Sequence, residues 1–312
     1  MLYRVTTMKN GKYIWIDGAF VEFEKATVHV LTHGLHYGTG VYEGLRCYDT
    51  IEGPGIFRPR EHYKRLLDGA KVIRLIPQQM VMELVSITKE LIKKNEFKEC
   101  YIRPIIFYSC GEMGLDITKN GCSIAIATWE WGAYLGEKGL GEGIRCKVSK
   151  VRRIDRESMP AGTKVCGNYV NSVLATMDAK EEGFDDSIML TKDNRVAECT
   201  GANIFLIKNE VIYTPSLDAG IVPGITRESI MEICRNSGRT VIEKDITVDE
   251  LFDADEIFLT GTATEVAAVR MINETSIGKG MGKITKKIRR EFFEITRGKN
   301  KQYSKWIELV DG

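Results

Sequence analysis

SMPAGTKVCGNYVNSVLATM, residues 158–177, is the stretch on which the reading of this chain turns. Its 20 residues carry one charge, Lys164. With 28% of the chain charged, about five or six would be expected, so the segment is read as largely buried. A lysine there either runs its stem along apolar neighbours to put the amine in water, or stays desolvated with a lowered pKa. A desolvated amine is the nucleophile of Schiff-base chemistry. Ala161, Gly162, Thr163, Gly167 and Asn168 are small and leave room for a ligand to approach the backbone.

Working outward, helical spacing runs over Tyr169–Glu182, Thr226–Asn236, Thr247–Phe252 and Lys283–Thr296. Short strands are read between them, at Ile144–Val148, Ser187–Leu190, Ile204–Ile207, Val211–Tyr213, Val241–Lys244 and Ile257–Leu259. Thr247 and Glu250 form a capping-box pattern. Towards the N-terminus, Asp17-Gly18 turns a hairpin between Tyr13–Ile16 and Phe20–Phe23. Val41–Tyr48 reads as a strand ending near the turn-rich Asp49–Gly55. Two helices follow, Glu61–Leu75 (stopped by Pro77) and Gln79–Lys94, then β-rich runs at Tyr101–Tyr108 and Ser123–Trp129. Five glycines between Gly132 and Gly143 suggest a linker, so the expected division is a small α+β domain over 1–131, a linker over 132–143 and a larger, strand-rich domain over 144–312.

The 312 residues balance 44 Lys and Arg against 43 Asp and Glu, a net charge of +1. That argues against a nucleic-acid partner, which needs a basic surplus, and gives no reason to expect an anionic membrane. No run of 18 apolar residues spans a membrane, and the N-terminus has no continuous apolar core of a secretory signal. The eight cysteines form no Cys-x-x-Cys pair and most read as buried thiols, so a reducing cytoplasm is the expected compartment.

Three further features bear on chemistry. Glu198 is the one charge between Arg195 and Lys208, at a strand end before Cys199–Asn203; it is either a solvated loop acid or a partner for a protonated ring nitrogen. Pro223-Gly224-Ile225-Thr226 leads into a helix, with Thr226 read as its cap, and helix N-termini bind anions. Thr260-Gly261-Thr262-Ala263-Thr264 offers hydroxyls and a close-approach glycine. Either loop could equally be a capped turn. Together they supply the lysine, ring-nitrogen acid and phosphate cradles that pyridoxal phosphate requires. His29, His33 and His36 fall at ligand spacing for a helix, but Gly34, Gly38 and Gly40 are expected to break it, and no metal is assigned. Gly278–Thr285 mimics a P-loop but carries Ile277 and Ile284 at key positions.

Nearly the whole chain, roughly Tyr13 to Trp306, resembles the branched-chain amino-acid aminotransferases, pyridoxal-phosphate enzymes of fold type IV. The resemblance rests on HGLHYGTGVYEGLRCY (33–48), YIRPIIFY (101–108) with GEMGL (111–115), WGAYLG (131–136), TKVCGNYVNS (163–172), AECTGANIF (197–205), VPGITRESI (222–230) and LTGTATE (259–265), in that order. It implies a mixed α+β and α/β fold with the site at the domain interface. It also implies that Lys164 holds the cofactor covalently and shuttles a proton between the substrate Cα and the cofactor C4′. Glu198 would keep the pyridine nitrogen protonated, and Tyr169 would bond the phenolic oxygen. Arg65, Ile225, Thr226 and Thr262 would hold the phosphate. The Thr262 and Ala263 amides would take the substrate α-carboxylate, Tyr42, Gly44, Trp131 and Tyr134 would line the side-chain pocket, and Tyr101 and Arg103 would accept the distal carboxylate of glutamate. Family members are homo-oligomers, with a dimer as the minimal unit and a hexamer as a larger form, and Tyr37 and Leu115 would reach the neighbouring site. The implied reaction moves the amino group of L-leucine, L-isoleucine or L-valine to 2-oxoglutarate. A D-amino-acid aminotransferase or an aminodeoxychorismate lyase shares the lysine, glutamate and phosphate features and is the alternative. The chain departs from the family at Tyr42, where Phe is usual, and at Cys166, whose thiol would make activity redox-sensitive.

Overall fold

A computed structural model of the chain describes residues 9–130, 142–278 and 280–312. The chain divides into two compact units. The first takes in Met1–Gly132, Lys164–Gly167 and Ile295–Gly312, and the second Ala133–Thr163 and Asn168–Glu294. The expected linker lies almost wholly outside the described residues.

The first unit is an antiparallel sheet covered by helices. Its elements are β1 (Lys9–Asn10), β2 (Tyr13–Ile16), β3 (Ala19–Glu22), α1 (His33–Tyr37), β4 (Gly40–Tyr42), β5 (Leu45–Thr50), β6 (Gly53–Phe57), α2 (Pro59–Val72), α3 (Val81–Lys94), β7 (Cys100–Tyr108) and β8 (Cys122–Glu130). A C-terminal strand, Ile307–Leu309, pairs with β6 and starts the order β6-β5-β7-β8-β2-β3, with β1 on β8 and β4 on β7. The 3.6-residue period of α2 and α3 places Tyr63, Leu66, Ala70, Leu84, Leu91 and Ile92 against Ile102, Ile106, Ile124 and Ile126. Each buried Leu or Ile contributes roughly 1.5–3 kcal/mol.

Three expectations need correction here. Val41–Tyr48 is not one strand: β4 and β5 both pair with β7, but the ladder breaks at Glu43-Gly44. Pro104, opposite the break, has no N–H to give, and its carbonyl instead accepts from Glu43 N at 2.9 Å. Gly53–Phe57, read partly as turn, is a strand. A helical turn does form at His33–Tyr37; Gly38 ends it in the left-handed region (φ 65°) rather than preventing it. There His33 uses both ring nitrogens, on Thr39 Oγ1 and Gly114 O at 2.7 Å each, and His36 Nε2 meets Val30 O at 2.8 Å.

The second unit holds a mixed sheet. Its elements are β9 (Ile144–Val148), α4 (Tyr169–Glu181), β10 (Asp186–Leu190), β11 (Val196–Cys199), β12 (Asn203–Lys208), β13 (Val211–Pro215), α5 (Ile225–Asn236), β14 (Val241–Lys244), α6 (Val248–Phe252), β15 (Glu256–Gly261), β16 (Glu265–Ile272), β17 (Thr275–Ser276) and α7 (Lys283–Thr296). The order is β11-β10-β9-β16-β15-β12-β13-β14, parallel at β10/β9, β9/β16 and β13/β14. Strands β12, β15 and β16 are buried on both faces. Ile204, Leu206, Ile257, Leu259 and Val269 pack together, and the opposed residues Phe205 and Phe258 stack at 4.9 Å with planes 1° apart. The Thr247–Glu250 capping box forms as expected. Thr226 is not the cap of α5; Gly224 is, and Thr226 is the second helical residue.

The segment 158–177 is not largely buried. Along α4, Val170, Val173, Leu174 and Met177 are 51–62% exposed, an apolar stripe at helical spacing. No described helix is long and apolar enough to cross a membrane.

Candidate active site

The chain leaves the second unit at Thr163, gives Lys164–Gly167 to the first, and returns at Asn168. Within the first unit this segment lies along Gly38–Tyr42. Gly167 N donates to Gly38 O at 3.1 Å, Val165 bridges Val41, and Tyr42 N donates to Lys164 O at 3.1 Å. The approach needs glycine: a Cβ on Gly38 would sit 2.8 Å from Gly167 Cα. Lys164 is half-buried, its Nζ 5.3 Å from the centre of the Tyr42 ring.

Arg103, on β7, stands over three aromatic faces, at 4.7 Å from Tyr42, 5.3 Å from Tyr101 and 5.9 Å from Trp129. Its Nη2 donates to Tyr101 Oη at 3.2 Å. That hydroxyl occupies the space a side chain on Gly44 would take, 1.9 Å from an added Cβ. Tyr42, Gly44, Tyr101 and Arg103 therefore lie together. Arg65, one turn after His62 on α2, grips the fully buried Glu43 through Nε (2.5 Å) and Nη2 (2.9 Å), and His62 Nδ1 meets the same carboxylate at 2.9 Å. Sequence reasoning missed Glu43 and His62. Their signal is an acid amid Val41, Tyr42 and Leu45, and a His-x-x-Arg spacing that puts both side chains on one face of a helix. Burial would raise the Glu43 carboxyl, but the Arg65 charge and the His62 bond outweigh it and hold it well below the usual range. Burial pushes His62 down, opposed by Glu43. Burial also pushes the Cys166 thiol up to about 11, which argues against the expected redox sensitivity.

The second unit presents Glu198 from β11, 5% exposed and no loop acid. Val222 N donates to both its oxygens at 3.2 Å, Asn203 Nδ2 donates at 3.0 Å, and Arg153 Nε lies 3.0 Å from Oε1. Asn203 Nδ2 also donates to Val222 O at 3.0 Å. Ile225 and Thr226 open α5, where no side chain caps the first turn. Thr262 and Ala263 form the tight turn of the β15/β16 hairpin, and the buried Thr260 Oγ1 beside it has no hydrogen-bond partner among the described residues. Tyr169 begins α4. Tyr37 and Leu115 are 44% and 86% exposed. Trp131 and Tyr134 lie outside the described residues.

A model of the family described as "Amino-transferase class IV" matches residues 40–272, and the chain belongs to that family. Among its relatives, the branched-chain-amino-acid aminotransferase of Escherichia coli K12 is 38% identical, covering 98% of this chain and 99% of that protein. The one from Pseudomonas aeruginosa is 41% identical over 95% and 97%. Among solved structures, the branched-chain aminotransferase of the thermophilic archaeon Thermoproteus uzoniensis with norvaline superposes with a TM-score of 0.92 at 38% identity, over 96% of this chain and 99% of that one. A further branched-chain amino acid aminotransferase, crystallised with pyridoxamine 5′-phosphate, reaches a TM-score of 0.94 at 40% identity, over 97% and 99%. The fold is thus the mixed α and β fold of class IV aminotransferases, and the protein is an aminotransferase.

Proposed function

We propose that the protein transfers the amino group of L-leucine, L-isoleucine or L-valine to 2-oxoglutarate, giving the branched-chain 2-oxo acid and L-glutamate. The observation that carries this is the setting of Arg103. Its charge sits in an aromatic cage, so one pocket offers apolar walls to a branched side chain and a cation to the distal carboxylate of glutamate.

The residues present fit pyridoxal 5′-phosphate. In the second unit the first turn of α5 has no side-chain cap and the Thr260 hydroxyl has no partner among the described residues; in the first, the lysine lies beside an aromatic face. When bound, the group supplies an electron sink that makes the substrate Cα–H acidic. Lys164 would hold it and, once released, would accept the proton from the substrate Cα. Glu198, its charge balanced by Arg153, would keep the ring nitrogen protonated. Tyr169 would bond the phenolic oxygen. Arg65, Ile225, Thr226 and Thr262 would hold the phosphate. The amides of Thr262 and Ala263 would receive the α-carboxylate, and Tyr42, Gly44 and Tyr101 would bound the side-chain pocket. The working form is a homo-oligomer: the exposed apolar stripe of α4, and exposed Tyr37 and Leu115, support a second copy of the chain.

The test is the visible spectrum of the holoenzyme. A yellow band bleached by L-leucine, restored by 2-oxoglutarate and absent in Lys164→Ala is the expected result. Bleaching by D-alanine alone would overturn the substrate assignment, and no band after adding the cofactor would overturn the role of Lys164.

A further inference from the structure

Glu43 has no exposure, yet four donors converge on it: Arg65 Nε and Nη2, His62 Nδ1, and Gly44 N at 3.2 Å. A buried carboxylate–arginine pair is a poor device for stability, because desolvation cancels most of the attraction and an apolar pair of equal volume does as well. It is a good device for orientation. Two N–H groups on two carboxylate oxygens fix the guanidinium plane. His62, three residues before Arg65 on the same helix, holds Oε2 in place. The fork uses Nε and one terminal nitrogen, so the guanidinium edge bearing the other terminal nitrogen faces away from Glu43. Arg65 itself is 16% exposed at its side chain.

We propose that Glu43 is a positioning residue: together with His62 it fixes the plane of Arg65 so that the arginine's far edge meets the cofactor phosphate. The inference rests on the assignment of Arg65 to that phosphate. It has a sign that a charge argument lacks. By charge alone, removing an anion near a phosphate site tightens phosphate binding. Loss of orientation weakens it, and lost supporting contacts of this kind cost about 10- to 100-fold in affinity at metal sites.

The experiment titrates apoprotein with pyridoxal phosphate and, separately, with pyridoxal, which lacks the phosphate, following absorbance. Glu43→Gln is expected to weaken pyridoxal phosphate about 10- to 100-fold and pyridoxal by less than about twofold. Glu43→Asp, which keeps the charge but recedes by one methylene, gives an intermediate loss and serves if the Gln variant does not fold. On an Arg65→Lys background, Glu43→Gln adds little. Tighter pyridoxal phosphate binding in Glu43→Gln, or equal losses for both aldehydes, overturns the proposal. If Arg65→Lys alone shifts the preference for the phosphorylated aldehyde while Glu43→Gln does not, positioning fails and the phosphate role of Arg65 stands. If Arg65→Lys leaves the preference unchanged, that role fails and this inference with it.

Discussion

Gly224→Ala tests how tightly the surroundings of Glu198 are built. Gly224 has φ −67° and ψ 129°, which alanine adopts freely, so backbone strain contributes nothing. The obstacle is steric: the new Cβ would lie 2.0 Å from Asn203 Oδ1. Asn203 is 5% exposed, and its amide donates to Glu198 and to Val222 O at 3.0 Å each. Pushing it aside forfeits one bond to a charged group, about 1.5–3 kcal/mol, and one neutral bond, about 0.5–1.5 kcal/mol. The expected loss is therefore about 2–4 kcal/mol, or roughly 5–15 °C in the melting temperature of a unit of this size. Urea unfolding of the apoprotein measures it. Asn203→Ala should cost a similar amount, and Gly224→Ala on that background should cost less than about 1 kcal/mol, because the clash has gone. Full additivity of the two substitutions, or a single-variant loss below about 1 kcal/mol, would refute the reasoning.

Three other outcomes are expected. Because the Glu43 carboxyl is depressed in the folded state, its contribution is present above the ordinary value of 4.5 and is lost as the pH falls through the folded value; urea unfolding below pH 4.5 should show a shallower decline for Glu43→Gln than for the parent, and identical slopes would contradict this. With its thiol near 11, Cys166 should alkylate at pH 7.5 roughly 100-fold more slowly than a free cysteine, read by peptide mass spectrometry; a rate matching free cysteine would show the thiol is not shielded. Val173→Glu with Leu174→Lys, on the exposed stripe of α4, should lower the particle mass seen by light scattering without lowering the melting temperature of the isolated chain; an unchanged mass would remove α4 from the assembly contact.

The helices were legible because α2, α3, α5 and α7 each carry an uninterrupted 3.6-residue apolar period between recognisable stops. β11 and β16 were not, since β11 is four residues holding an alanine and Glu198, and β16 carries two alanines, Glu265 and Arg270 among its apolar residues. β6 was hidden by Gly53-Pro54-Gly55, residues that ordinarily signal a turn but here sit in a strand paired on both sides. The charge-poor run 158–177 was informative in an unexpected way: it reported an apolar face left open in the single chain, not burial within it. Lys164, Glu198, Arg103 and Arg65 could be singled out from sequence and family resemblance. The partners of Glu198 and Arg65 could not, because Arg153 lies 45 residues from Glu198, and Glu43 lies 22 from Arg65, so only the fold joins them.

The threading of the chain has a consequence for its synthesis. The strand Ile307–Leu309 closes the edge of the first unit on β6, and Trp306 packs edge-on against Phe57 beside it. Residue 307 is translated 175 residues after residue 132, at which the first unit's main segment ends. At about 5–20 residues per second, that is roughly 10–35 s on the ribosome. Throughout that interval β6 offers a bare edge to any neighbouring nascent chain. Slow decoding of the second half would therefore raise aggregation of the first, and a β6 edge capped early, by circular permutation that places 295–312 ahead of residue 9, would relieve it.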